Sequence, residues 1–225
     1  SEDARKRVIQ LGENKKNIYV IGSPELDIHR ENSGVNISEV KKRYDIRFNE
    51  FGICIFHSVT SELDKINTQA EKFFKGLSFS NKNFVVILPN NDPGSEVIKE
   101  KIQKLDKNYF KVLPSMRFNY FSELIKNCSL FIGNSSAGVR ELPFLGICSI
   151  NIGSRQTNRG FSSSIKQIDT FDELIIKAAI LENWNKKFVK DLAYGKGNAA
   201  KEFVKLLKKD ELWENNLQKK FKDSI

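Results

Sequence analysis

Phe51-Gly52-Ile53-Cys54-Ile55-Phe56 is an unbroken apolar run, rich in β-branched and aromatic side chains and too short for an independent helix. With no polar position to mark a solvent face, it reads as a strand covered on both sides. The same signature recurs outward from it at Ile18–Ile21, Phe84–Leu88, Phe110–Leu113, Leu130–Ile132 and Ile147–Ile152. The stretches between most of these carry helical periodicity. Ser61–Leu77 sets Leu63, Ile66, Ala70, Phe73 and Phe74 on one stripe, and Ser61 with Asp64 resembles an N-cap box. Ser95–Leu105, Phe121–Asn127 and Ala137–Leu145 behave likewise. Strands alternating with helices imply βαβ crossovers and a parallel sheet with helices on both faces, a Rossmann-like α/β domain.

The flanks are of another kind. Asp3–Gly12 reads as a helix closed by glycine. After Ile152 the polar stretches Gly153–Gly160 and Ser162–Ser164 read as loop, and Phe171–Leu181, Ala199–Leu207 and Glu211–Phe221 are the closing helices. The expected division is a leading helical segment over 1–16, the Rossmann-like domain over 17–181 and a helical extension over 182–225.

The 225 residues are 40% hydrophobic and 29% charged, which excludes disordered and collagenous chains. No apolar run reaches the roughly 18 residues of a membrane span, and the first thirty residues have no signal-peptide core. A cytoplasmic protein is expected. Cys54, Cys128 and Cys148 are far apart and each lies in apolar sequence, so buried reduced thiols are expected, with no disulfide or metal site. The net charge of +9 is spread along the chain and interleaved with acids, without a nucleic-acid-binding motif. It suits a small anionic ligand better than RNA or DNA.

An open α/β sheet binds ligands beyond the carboxyl ends of its strands, which directs attention to the loops there. The strongest signal is Leu130-Phe-Ile-Gly-Asn-Ser-Ser-Ala-Gly-Val-Arg-Glu141, a strand running through small and hydroxylated residues into a helix. Ser135 and Ser136 offer hydroxyls, Gly133 and Gly138 allow close approach, and the helix start favours an anion. An N-cap cluster without ligand would read the same way. Glu141, about two turns on, can accept hydrogen bonds from vicinal sugar hydroxyls. His57 ends a strand and is a candidate acid or phosphate donor, whereas His29 reads as a surface residue. Asn90 lies in the Pro89–Gly94 turn, and Arg155 or Arg159 can clamp a phosphate with a planar fork. Phe118, Tyr120 and Phe121 can lay a ring on a base or serve the core. The glycine spacing is neither a P-loop nor a dinucleotide fingerprint, and no cofactor is called for.

Together these blocks resemble the second half of the hydrolysing UDP-N-acetylglucosamine 2-epimerases of sialic-acid and related pathways. The likeness rests on Val8–Glu13, Ile21–Asp27, Phe56–Thr60, Pro89–Ser95, Gly133–Glu141, Ile150–Arg159 and Tyr194–Ala199, in the family's order. It implies the carboxy-terminal half of a two-domain GT-B architecture. It further implies that Ser135, Ser136 and the Gly138 turn hold a diphosphate, that Glu141 binds the ribose, and that Phe121 packs on uracil with Met116 nearby. His57 matches the family's cleft histidine, while Asn90, Arg155 and Arg159 match cleft-lining segments. Ser58 stands where the family usually has proline. The resemblance places the acid and base carboxylates in an amino-terminal half with no match here, so a fragment that binds UDP without turnover is expected, from a full-length homo-oligomer. A diacetamido-trideoxyhexose substrate, a GT-B glycosyltransferase and a non-catalytic UDP-sugar-binding module are the alternatives.

Overall fold

The computed structural model describes residues 1–30, 34–214 and 218. The chain forms two compact units, one of Ser1–Glu31 with Leu192–Ile225 and the other of Asn32–Asp191. The sequence boundaries expected at 16/17 and 181/182 fall inside these units.

The larger unit is the expected parallel α/β domain. Its strands are β1 (Gly52–Ile55), β2 (Phe84–Ile87), β3 (Phe110–Leu113), β4 (Phe131–Gly133), β5 (Ser149–Ile152) and β6 (Ile165–Ile168). They form one sheet in the order β3-β2-β1-β4-β5-β6, every pair parallel. Helices are numbered along the whole chain. In the smaller unit lie α1 (Glu2–Gln10), α2 (Asp27–Arg30), α9 (Ala199–Leu207) and α10 (Asp210–Trp213). The larger holds α3 (Ile37–Tyr44), α4 (Ile66–Phe79), α5 (Ser95–Gln103), α6 (Phe118–Lys126), α7 (Ala137–Leu145) and α8 (Glu173–Asn183).

Alternation along the strands builds a core on each face of the sheet. Cys54, Phe56, Phe84, Val86, Ile132 and Ile150 pack on one side against Phe73, Phe74 and Leu77 of α4, Ile98 and Ile102 of α5, and Ile176 and Ile180 of α8. Ile53, Ile55, Val85 and Phe131 face the other way, against Val40 of α3, Leu124 and Ile125 of α6 and Leu142 of α7. Each fully buried Ile, Leu or Phe contributes about 1.5–3 kcal/mol, so the two cores together dominate stability. The chain runs outward from β1 through β2 to β3 and then returns to β4, on β1's other flank. The sheet therefore reverses its winding between β1 and β4, the topological switch point where ligands of this architecture bind.

Several expectations need correction. Ile18–Ile21 is not a strand: it joins no ladder among the described residues, and Tyr19 and Val20 are exposed. Its place in the count is taken by β6, an edge strand that is exposed at Lys166 and Gln167 and so lacks an apolar run. The helix expected from Ser61 starts at Ile66. Thr60–Glu62 forms a 3-10 turn, the Ser61–Asp64 box does not cap α4, and Leu63 is exposed. Helix α3 was not expected, although Asn36 and Glu39 close a reciprocal capping box at its start. Of Glu211–Phe221, Asp210–Trp213 is helical, while all but Glu214 and Gln218 of the remainder lies outside the described residues. His29 is buried rather than superficial, at 4% exposure. The three cysteines are free and buried as expected. Burial pushes the Cys128 thiol up to about 12 and that of Cys148 up to about 11, too high for either to be an ionised nucleophile near neutrality.

In the smaller unit, the Asp27 carboxylate accepts from the amides of Ala199 and Ala200, both at 2.8 Å, and so seals the start of α9. No described helix is long and apolar enough to cross a membrane.

Candidate functional site

At the switch point the ends of β1 and β4 are joined residue to residue. Ile55 lies opposite Gly133, and the backbone there has φ +141°, so a Cβ on Gly133 would stand 1.9 Å from the Ile55 carbonyl oxygen. Only glycine permits this approach. Beyond it, the amide of Asn134 donates to the Ile55 carbonyl at 3.1 Å. The Asn134 side chain then spans the peptide groups of His57, two residues beyond Ile55 and past the end of β1. Its Oδ1 accepts from the His57 amide at 2.7 Å, and its Nδ2 donates to the His57 carbonyl at 2.8 Å. Below His57, Phe56 is stacked on Phe73 with centroids 4.6 Å apart and meets Phe74 and Phe171 edge-on. The strand end carrying His57 is thus held from the core and from the side.

The loop after β2 supplies the imidazole's partner, for His57 Nδ1 lies 2.7 Å from Asn90 Oδ1. With the proton on Nδ1 and shared with Asn90, Nε2 is an acceptor in the neutral ring and becomes a donor when the ring is protonated. Burial, and then the charge of Arg155, holds the imidazole below its ordinary pKa, against smaller opposing effects of Asn90 and Asp92. His57 is accordingly neutral near neutral pH.

The loop after β5 completes the corner. Arg155 Nη1 donates to the Asn134 carbonyl at 3.1 Å and Gln156 Nε2 donates to the same oxygen at 2.9 Å. Arg155 Nη2 is also 3.9 Å from Asp92 Oδ2. The Ser154 hydroxyl donates to the Glu62 carboxylate, which accepts a second bond, from Gln69 Nε2, at 2.7 Å. These bonds hold the Glu62 carboxyl below its ordinary pKa and tie the Arg155 loop to the turn that follows His57.

Asn134, Ser135 and Ser136 separate β4 from α7. The amides of Gly138, Val139 and Arg140 bond back to the carbonyls of Ser135 and Ser136, but Ser136 places no side-chain cap on the helix. The half-buried Ser135 hydroxyl accepts from the Ala137 amide at 3.4 Å and Ser136 is exposed, so the positive end of α7, with no carboxylate on it, opens to solvent. Gly138 does its work on the opposite side. A Cβ there would stand 2.5 Å from Ser149 Oγ and 3.0 Å from the Phe131 ring, so the residue lets α7 settle onto β4 and β5.

Of the residues expected from sequence, His57, Asn90 and Arg155 are brought into one hydrogen-bonded group with the start of α7. Arg159 is exposed on the same loop and close enough to depress the pKa of Arg155. Glu141 is half-buried on the second turn of α7. Met116 and Phe121 lie after β3, half-buried against the core shared by α3 and α6. Because β3 is three strand spacings from β4, about 14 Å, a ligand touching both must lie across the carboxyl edge of the sheet. Asn134, Gln156, Asp92 and Glu62 were not singled out from sequence. Asn134 had a usable signal in its place directly after a central strand; the others, as polar loop residues, had none. A separate cavity of about 490 Å³ at the outer edge of β3 is lined by Arg47, Lys107 and Lys111, and there Asp45 pairs with Arg47 at 3.0 Å and with Lys111 at 3.2 Å.

This corner offers the positive end of a helix, hydroxyls and arginines, which suit a polyanion such as a diphosphate. Comparison with known proteins agrees with that chemistry. Residues 1–208 match the family model described as UDP-N-acetylglucosamine 2-epimerase. The UDP-N-acetylglucosamine 2-epimerase of Neisseria meningitidis serogroup B is 36% identical over 226 residues, covering 99% of this chain and 60% of that protein. The polysialic acid biosynthesis protein P7 of Escherichia coli is 30% identical over 220 residues, with coverage of 92% and 55%. The UDP-N,N'-diacetylbacillosamine 2-epimerase (hydrolyzing) of Legionella pneumophila is 28% identical over 213 residues, with coverage of 92% and 56%. The chain thus spans well under two thirds of the length of these relatives. Among solved structures, the UDP-GlcNAc 2-epimerase of Methanocaldococcus jannaschii in complex with UDP-GlcNAc and UDP superposes with a TM-score of 0.71 at 17% identity, over 92% of this chain and 59% of that one, a likeness of fold. With the family model matched along nearly its whole length, the chain belongs to the UDP-N-acetylglucosamine 2-epimerase family.

Proposed function

We propose that this chain is the UDP-binding half of a hydrolysing UDP-N-acetylglucosamine 2-epimerase, the carboxy-terminal half of a GT-B enzyme that works in the cytoplasm as a homo-oligomer. The observation that carries the reading is the solvent-facing, carboxylate-free start of α7 beside His57 at the switch point. Ser135 and Ser136 receive the diphosphate, with Arg155 and Arg159 closing over it from the β5 loop. Glu141 takes the ribose hydroxyls, and Phe121 with Met116 receives uracil. Asn90 orients the His57 ring.

In the reaction, the C2 proton and the C1–O bond to UDP are lost together, leaving a glycal. Water then adds across the double bond, so that UDP-N-acetylglucosamine and water become N-acetylmannosamine and UDP. What this half contributes is stabilisation of the departing UDP: the α7 start and the arginines oppose the charge that builds on the leaving oxygen, and the His57 ring does so as the imidazolium that a bound diphosphate favours. The base for C2 and the acid for hydration belong to the amino-terminal half, the partner this chain needs. A second substrate, a UDP-2,4-diacetamido-trideoxyhexose, is favoured by the Legionella relative. The family's link to polysialic acid through the Escherichia coli relative favours the first.

Calorimetric titration with UDP and an assay for N-acetylmannosamine test both clauses. The chain is expected to bind UDP and to release no product until an amino-terminal half is supplied in trans. Failure to bind UDP refutes the reading, and turnover by the chain alone refutes the division of labour. Glu141→Ala is expected to weaken UDP while leaving the fold intact, and unchanged affinity removes Glu141 from the site.

A further inference from the structure

Asn134 is 1% exposed, yet it is the residue through which the corner is assembled. Its amide, both polar atoms of its side chain and its carbonyl are all engaged, with Ile55, His57, Arg155 and Gln156. The bonds divide cleanly by origin. Those to Ile55, Arg155 and Gln156 use the Asn134 main chain, which any residue would provide. The two to His57 use the carboxamide alone, which pairs with a peptide group's N–H on one side and a C=O on the other. Aspartate would set an acceptor against the His57 carbonyl. Serine has too short a reach and alanine has neither group, while glutamine adds a methylene to a fully buried site.

We infer that Asn134 is a positioning residue whose carboxamide fixes the His57 peptide, and through it the imidazole, at the level of the open helix start. It touches no ligand itself. This inference rests on the reading of the corner as a diphosphate seat, but part of its test is independent of any nucleotide.

The two histidines of the chain make the test direct. In the ligand-free protein, the imidazole signal of His57, assigned by its loss in His57→Ala, is titrated by NMR. In Asn134→Ala the ring, released from its fixed peptide, is expected to titrate closer to the ordinary value near ~6.5. An unchanged titration in a folded Asn134→Ala protein overturns the inference whether or not UDP binds. In the ligand arm, Asn134→Ala is expected to weaken UDP about tenfold and uridine less than twofold. In the His57→Ala background, adding Asn134→Ala is expected to change UDP affinity less than twofold. Equal losses for UDP and uridine, or a full tenfold loss in the His57→Ala background, indicate a role in the fold alone and overturn it. Should Asn134→Ala be insoluble, Asn134→Asp, which keeps the volume and the bond to the His57 amide, is measured against the same UDP-to-uridine ratio, and an unchanged ratio is contradictory. Absence of UDP binding in the wild type, with the expected His57 titration, refutes the nucleotide reading and leaves the positioning role standing.

Discussion

Helices α7 and α8 each follow a strand of the same sheet, but they begin differently. The start of α8 seals itself: the Asp172 carboxylate accepts from the amides of Leu174 and Ile175 at 2.9 and 3.0 Å, and those bonds hold its pKa below the ordinary carboxylate value. The start of α7 has no carboxylate, only the Ser135 hydroxyl on the Ala137 amide at 3.4 Å. Helices α4, α5 and α6 likewise have no bond from the side chain of the N-cap residue, but only α7 follows its strand after as few as three residues, and that strand borders the switch point. A helix end that carries its own carboxylate has no need of an anion. One that lacks it, faces solvent and lies beside arginines can take a bound phosphate instead, as proposed for α7.

The comparison can be broken at its foundation. Gly133→Ala puts a Cβ into the Ile55 carbonyl at a backbone angle that L-residues avoid, so it should destabilise the protein by more than about 3 kcal/mol, seen as loss of soluble protein or a collapsed denaturation midpoint. Ser136→Asp sharpens the contrast by making α7 resemble α8. The new carboxylate should leave the melting temperature unchanged or higher and weaken UDP about a hundredfold, by calorimetry. Ser136→Ala removes a hydroxyl without adding charge, and should weaken UDP about tenfold while sparing uridine. Acid titration probes the His57 side. Because the folded protein holds that imidazole below its ordinary pKa, the unfolded chain binds more protons, and stability falls as pH drops below about 6.5. His57→Gln should flatten that part of the melting-temperature profile between pH 7 and 5. The smallest effect belongs to α8 itself. Asp172→Ala should lower the melting temperature by about 2–4 °C and leave UDP affinity as it was.

The central strands were legible because burial on both faces leaves only apolar side chains, as in Phe51–Phe56 and Phe84–Leu88. The edge strand β6 was not, since Lys166 and Gln167 meet solvent and the apolar run is interrupted. Ile18–Ile21 misled for the converse reason: it has the composition of a strand but joins no sheet among the described residues, and pairing is a tertiary property. Helix α3 had a local signal in Asn36 and Glu39 that its short length obscured. At the candidate site, strand-end placement pointed to His57, Asn90 and Arg155, which carry recognisable chemistry. Gln156 and Glu62 act through hydrogen bonds between loops distant in sequence, so nothing local marks them. Gly138 was legible as important but not in its direction, because its missing side chain serves packing against Phe131 and Ser149.

A crystal structure of this chain with UDP tests the central claim most directly. Diphosphate oxygens are expected within about 2.7–3.2 Å of the Ser135 and Ser136 amides, with the His57 ring beside them. A diphosphate bound instead among Arg47, Lys107 and Lys111 at the outer edge of β3, with the α7 start empty, would contradict it.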